Sequence, residues 1–135
     1  MFKCAMPYNP VPPGLNLVSK EIVDSAHAIH KTLGPGLLES IYEACLEHEL
    51  NSRGLKIERQ VSLPIIYGGL KSEGGLRLDL VVAEAVIVEV KSVETILPVH
   101  KAQILTYLKL SGHRLGLLLN FNVPRIKDGI YRFIL

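Results

Sequence analysis

LRLDLVVAEAVIVEVK, residues 76–91, is the stretch that decides the fold. Its first half alternates: Leu76, Leu78, Leu80 and Val82 fall on one side of an extended strand, and Arg77, Asp79 and Val81 on the other. Successive side chains of a strand point to opposite faces, so this is the pattern of a half-buried strand. The second half repeats it, with Val86, Val88 and Val90 against Ile87, Glu89 and Lys91. Ala83, Glu84 and Ala85 are enough to turn one run into the other, which makes the pair a hairpin. Asp79, Glu89 and Lys91 then share one face of consecutive strands. Three ionisable groups on a face that such apolar neighbours would otherwise cover need a reason.

Upstream the period changes. KIERQVSLPIIY, 56–67, reads as one or two strands around Pro64, a residue suited to an edge or a bulge. SEGG at 72–75 reads as the turn that follows. Before it come two helices. Apolar spacing from Val18 through Ile22, Ala26 and Ile29, with Ser19 as a cap, ends at LGPG, and LLESIYEACLEHELNSRG follows with Gly54 at its C-terminal end. Residues 1–17, with Pro7, Pro10, Pro12 and Pro13, read as an irregular N-terminal arm. Residues 18–135 read as a single domain.

Downstream, Pro98 opens a third helix that Ser111-Gly112 closes near Leu110. LGLLLNF, 115–121, is a nearly continuous apolar strand of the kind buried on both sides by helices. A helix between it and the valine-rich strand makes those two parallel. IKDGIYRFIL adds a last edge strand after a turn at Asp128-Gly129. The order is α-α-β-β-β-α-β-β, an α/β fold with a mixed sheet flanked by helices.

At 135 residues and 48% apolar the chain can bury a core without disulfides. Cys4 and Cys45 lack metal-ligand spacing and suggest no secreted scaffold; Cys45 reads as a small core residue. A net charge of +2 permits a nucleic-acid ligand without arguing for one. No apolar run reaches the length of a membrane span and no secretory signal is evident, so a cytoplasmic protein with no membrane partner is the expectation.

Two carboxylates on adjacent strands suit a hard divalent cation. A lysine projecting the same way as Glu89 can orient a water or offset charge building on phosphorus. The plainer reading is a surface ion pair, Arg77 with Glu89 across the hairpin. Two helices add candidates. Glu39 and Tyr42 lie one turn apart on the second, with Tyr42 a substrate contact or a residue packed at the core edge. His100, Gln103 and Tyr107 form one face of the third, where Gln103 and Tyr107 can hydrogen-bond a phosphate or a lysine. His100 reads as a phosphate contact or a surface residue. Arg77 is a candidate phosphate clamp, and Lys101, Lys109 and Arg114 are candidate backbone contacts.

Taken in order, these elements resemble the GxxExxY family of the PD-(D/E)xK nuclease superfamily. Gly36-Leu-Leu-Glu39-Ser-Ile-Tyr42 matches the name-giving motif, Asp79 and Glu89-Val90-Lys91 the superfamily core, and Gln103 to Tyr107 its Q-x-x-x-Y element. GLLLNF at 116–121 and the Lys-Asp-Gly-Ile-Tyr-Arg ending at 127–132 complete it, so the likeness covers about residues 18–134. Leu78 stands where the superfamily's name has proline. The resemblance implies a restriction-endonuclease-like fold with the site where two strands diverge. It implies Mg²⁺, or Mn²⁺, held by Glu39, Asp79, Glu89 and the Val90 carbonyl. Lys91 would be the catalytic lysine, supported by Gln103 and Tyr107. The implied activity is hydrolysis of phosphodiester bonds in nucleic acid, with DNA a family-level expectation, by a metal-activated water. The competing expectation is a non-catalytic module that keeps the fold and binds nucleic acid or protein. A homodimer through the apolar tail Ile130–Leu135 would enlarge either surface.

Overall fold

Residues 12–135 are described by the structure, a computed structural model. Pro13 takes the first position of α1 (Pro13–Leu33), where its missing N–H has no partner to lose and its fixed φ already suits a helix. The helix therefore starts five residues before Val18, and Ser19, expected as its cap, is a buried residue within it. The rest of the proline-rich arm lies outside the described residues. α2 (Glu39–Ser52) ends as expected at Gly54: the Leu55 N–H donates to the Leu50 carbonyl and that of Gly54 to Asn51, the paired bonds that close a helix on a glycine.

Five strands follow the chain order across one sheet: β1 (Ile57–Tyr67), β2 (Leu70–Val82), β3 (Val86–Lys91), β4 (Leu115–Asn120) and β5 (Ile130–Ile134). All neighbours are antiparallel except β3 and β4, which are parallel and joined by α3 (Pro98–Ser111). A mixed sheet flanked by helices is thus what forms. α1 and α2 cover one face through Ile22, Ile29, Leu46 and Leu50, against Val86, Val88, Val90, Leu115, Leu117 and Leu119. α3 covers the other, with Leu108 packed among Val81, Ile87, Leu76 and Leu78. A Cβ at Gly116 would lie 3.0 Å from Ile104 Cδ1, so glycine lets α3 settle directly on β4.

Two expectations fail in the first hairpin. The turn is Gly68-Gly69, with φ of 53° and 86°, and not SEGG; two left-handed residues are what a tight hairpin turn needs. SEGG instead lies within β2, where the register slips between Leu63 and Ile65, opposite Pro64. Two residues of β1 face four of β2 there, so Pro64 sits at a bulge on an edge strand. The alternation of 76–82 also breaks. Leu80 and Val82 join the α1–α2 core, whereas Leu76 and Leu78 join the α3 side. The break falls at Asp79, whose partner position on β1, Gln60, has a left-handed φ of 53° and leaves the ladder.

Candidate active site

The β2–β3 ladder runs Val82↔Val86, Val81↔Ile87, Leu80↔Val88 and stops. At the next position the acids take over the backbone's work. The Asp79 N–H donates to Glu89 Oε2 at 2.9 Å, and the Val90 N–H donates to Asp79 Oδ2 at 2.9 Å. Each carboxylate thus bonds the other strand where the two diverge. β3 continues in register with β4 as far as Lys91↔Asn120, so Glu89 and Lys91 are held on a strand buried from both sides.

A cleft of about 420 Å³ opens at this point. Glu39, Arg77, Asp79, Glu89, Lys91, Gln103 and Tyr107 line it, with Ser62, Gly74 and Gly75. Seven residues singled out in the sequence therefore meet in one place, drawn from two helices and two strands. Val90 points its side chain into the core under α1 and α2, and its N–H holds Asp79.

Three others go elsewhere. Tyr42 is fully buried and stacks on Phe121 with ring centroids 4.3 Å apart. Its hydroxyl donates to the Gly34 carbonyl and accepts the Leu37 N–H. Tyr42 thus holds the loop before α2 from within the core, the packing alternative of its two readings, because an aromatic one turn from Glu39 turns inward. His100 Nδ1 accepts the Leu97 N–H at 3.0 Å, which caps α3. Lys101 Nζ lies over the Tyr131 ring, 4.8 Å from its centroid, outside the cleft.

Sequence reading missed Glu43 and Asn120. Glu43, one turn beyond Glu39, is buried and accepts from Gln60 Nε2 at 2.8 Å and Arg59 Nε at 3.2 Å. It anchors β1 where the strand departs from its ladder; the spacing from Glu39 was the available signal. Asn120 clamps the segment after Lys91, accepting the Val93 N–H and donating to the Val93 carbonyl. An asparagine inside an apolar strand was the cue.

Electrostatics single out the acids. Burial, then the neighbouring Asp79 charge, pushes Glu89 up to about 8, and the side chain is only 5% exposed. Burial also raises Asp79, with Glu43 and Glu39 adding to the effect while the Val90 N–H and Lys91 oppose it. Tyr107 rises through burial and the same two acids. Among the described residues no ion pair joins Asp79, Glu89 or Lys91 to any partner, so the Arg77–Glu89 bridge does not form. Close, buried carboxylates of this kind favour either a retained proton or a cation between them.

The donor set is hard oxygen, and two carboxylates with water suffice for Mg²⁺. The wider ligand set is not assembled. Among the described residues no three His, Cys, Asp or Glu side chains gather as a metal cluster, and Glu39 instead accepts the Ser92 N–H at 3.2 Å. Asp79 and Glu89 fit an ion as a pair; Glu39 lines the same cleft from its rim.

A stability consequence follows from Glu89. The folded state holds its proton up to about pH 8, while the unfolded chain releases it near 4.5. This contribution is therefore complete below pH 4.5 and is lost as pH rises to 8, at most about 1.4 kcal/mol per pH unit. In metal-free buffer the melting temperature should fall between pH 5.5 and 8, and Glu89→Gln should flatten that fall. An unchanged slope in the variant would remove Glu89 as its source.

The family model described as PD-(D/E)XK nuclease superfamily matches residues 16–133. Among solved structures, the crystal structure of SSO0001 is similar at 24% identity and a TM-score of 0.53, covering 86% of this chain. The chain spans 57% of the length of that one, and the likeness speaks to fold alone. No curated protein matches.

Proposed function

The chain belongs to the PD-(D/E)XK nuclease superfamily, and on that premise we propose that it hydrolyses phosphodiester bonds in nucleic acid, DNA in particular, with Mg²⁺ or Mn²⁺ as cofactor. One observation carries this reading: Asp79 and Glu89 lie side by side, both raised by burial and Glu89 also by the Asp79 charge, in a cleft that also presents Lys91. An ion held by the two carboxylates and the Val90 carbonyl, with Glu39 closing in from the rim, would supply positive charge to the phosphate and acidify a water.

The side chains do the positioning. Lys91, free of any ion pair among the described residues, offers its ammonium group to the attacking oxygen and to charge developing on the phosphoryl oxygens. Gln103 and Tyr107, on the α3 wall, hold that lysine or the substrate by hydrogen bonds. Arg77, exposed at the mouth, clamps a neighbouring phosphate. Water attacks phosphorus in line, and the bond to the leaving oxygen breaks.

Calorimetric titration with Mg²⁺ and Mn²⁺ tests this first. Wild type should bind, and Asp79→Ala and Glu89→Ala should each lose binding. A folded wild type that takes up no metal at millimolar concentration, even with a short DNA duplex present, ends the proposal. A second reading, a binding module for nucleic acid or protein that keeps the fold, draws on the Glu39 contact with Ser92, which occupies the third acid. That negative result would favour it.

A further inference from the structure

Past Gln60 and Asp79 the β1–β2 hairpin continues, and residues 66–75 are all exposed. Its base belongs to the cleft: Ser62, Gly74, Gly75 and Arg77 line the same wall as the acids. Its tip is apolar, with Ile66 70%, Tyr67 81% and Leu70 66% exposed. Residues directly opposite in a ladder share a face, and alternation along β1 carries that face from Ser62 through Pro64 to Ile66. Ser62↔Arg77 and Ile66↔Lys71 therefore lie on one side of the ribbon, with the bulge at Gly74-Gly75 between them. Nothing lies within 4 Å of a Cβ built on Gly74. From the acids outward this side offers a cation, bare backbone, a second cation and the apolar Ile66, while Tyr67 and Leu70, the next pair, meet on the other side of the turn.

Resting on the nuclease reading of the cleft, we propose that this hairpin is a substrate arm for a single-stranded flank of DNA beside the cleaved bond. Phosphates lie along Arg77 and Lys71 on the side that carries Ile66, and the strand then passes over the exposed turn, where an unpaired base stacks on Tyr67. The chemistry selects this occupant. Every base has an apolar face that an exposed aromatic can receive once it leaves the stack, whereas a duplex shows phosphates and groove edges. Among the described residues Lys71 is engaged only by Glu73 at 3.2 Å, both side chains being largely exposed, and such a pair yields readily to a phosphate. A second copy of the chain is a poor occupant, because a few side chains fall far below the roughly 800 Å² per partner of a stable interface. Seven residue steps along β1 lead from Gln60, beside Asp79, to Tyr67, a span of about 23 Å. At about 3.4 Å per stacked nucleotide that is about seven nucleotides.

Fluorescence anisotropy in EDTA, with labelled duplexes ending blunt or in three- or ten-nucleotide overhangs of either polarity, tests the arm. Wild type should bind one of the ten-nucleotide overhangs about tenfold tighter than the blunt duplex and gain nothing from three. Ile66→Ser with Tyr67→Ala should lose that preference and still melt at the wild-type temperature; Tyr67→Ala alone should lose part of it, and Tyr67→Phe should keep it. A preference that survives in the double variant, or one absent in wild type, overturns the arm. Binding with the expected preference but without cleavage in Mg²⁺ or Mn²⁺ leaves the arm standing and removes hydrolysis. Wild type that binds none of these five DNAs removes both.

Discussion

Lys91→Ala should lower single-turnover cleavage of a labelled DNA by about a thousandfold, the scale expected when a positioned charge or proton donor leaves a reacting phosphate. Metal binding should survive. The Lys91 charge repels a cation but also holds both acids down, favouring the carboxylate form that the cation needs. These effects oppose, so the change in metal affinity should stay below about tenfold. The split is the diagnostic: Asp79→Ala and Glu89→Ala lose metal and cleavage together, and Lys91→Ala loses cleavage alone. Because Lys91 has no ion pair among the described residues, the variant should also fold. Cleavage by Lys91→Ala within tenfold of wild type would take the lysine out of the mechanism.

Gly129→Ala should be the most damaging single methyl in the molecule. A Cβ there would sit 2.0 Å from the Asn120 carbonyl oxygen and 3.2 Å from Val123 Cγ2. The first obstacle is backbone at the end of β4, which cannot swing aside as a side-chain tip can. Relief requires moving Asn120, whose side chain clamps Val93 by two hydrogen bonds. We expect a loss of about 3 kcal/mol or more in urea unfolding. Cleavage should fall further than the remaining folded fraction explains, because the clamp sets the chain that leaves Lys91. A variant as stable as wild type would show that the β4–β5 connection is looser than this geometry.

Much of this was legible in the sequence. The valine alternation placed β2 and β3, the crossover fixed the parallel pair, and Asp79, Glu89, Lys91, Gln103 and Tyr107 line one cleft, a convergence that the family resemblance, not spacing, implied. What escaped shares a cause: local signals that two geometries satisfy equally. Glycine pairs at 68–69 and 74–75 both suit a turn, and only the pairing of Tyr67 with Leu70 decides between them. Prolines at 12 and 13 suit an irregular arm or a helix start. Tyr42 suits a cleft or a core, and Phe121, distant in sequence, settles its place. Glu43 and Asn120 act through partners that periodicity cannot see.

The sheet order, identical to the chain order, bears on how the molecule comes to exist. Strands β1, β2 and β3 can zip from two short turns with little search, whereas β4 must cross α3 before it finds β3. Distant pairing of this kind is where folding is slow, because chain entropy is lost before contacts return it. Asp79 and Glu89 belong to the early part, while Gln103, Tyr107 and Asn120 arrive with the late one. A nascent chain would thus hold its acids side by side before it has the wall that encloses them, so the cleft is completed only in the last act of assembly.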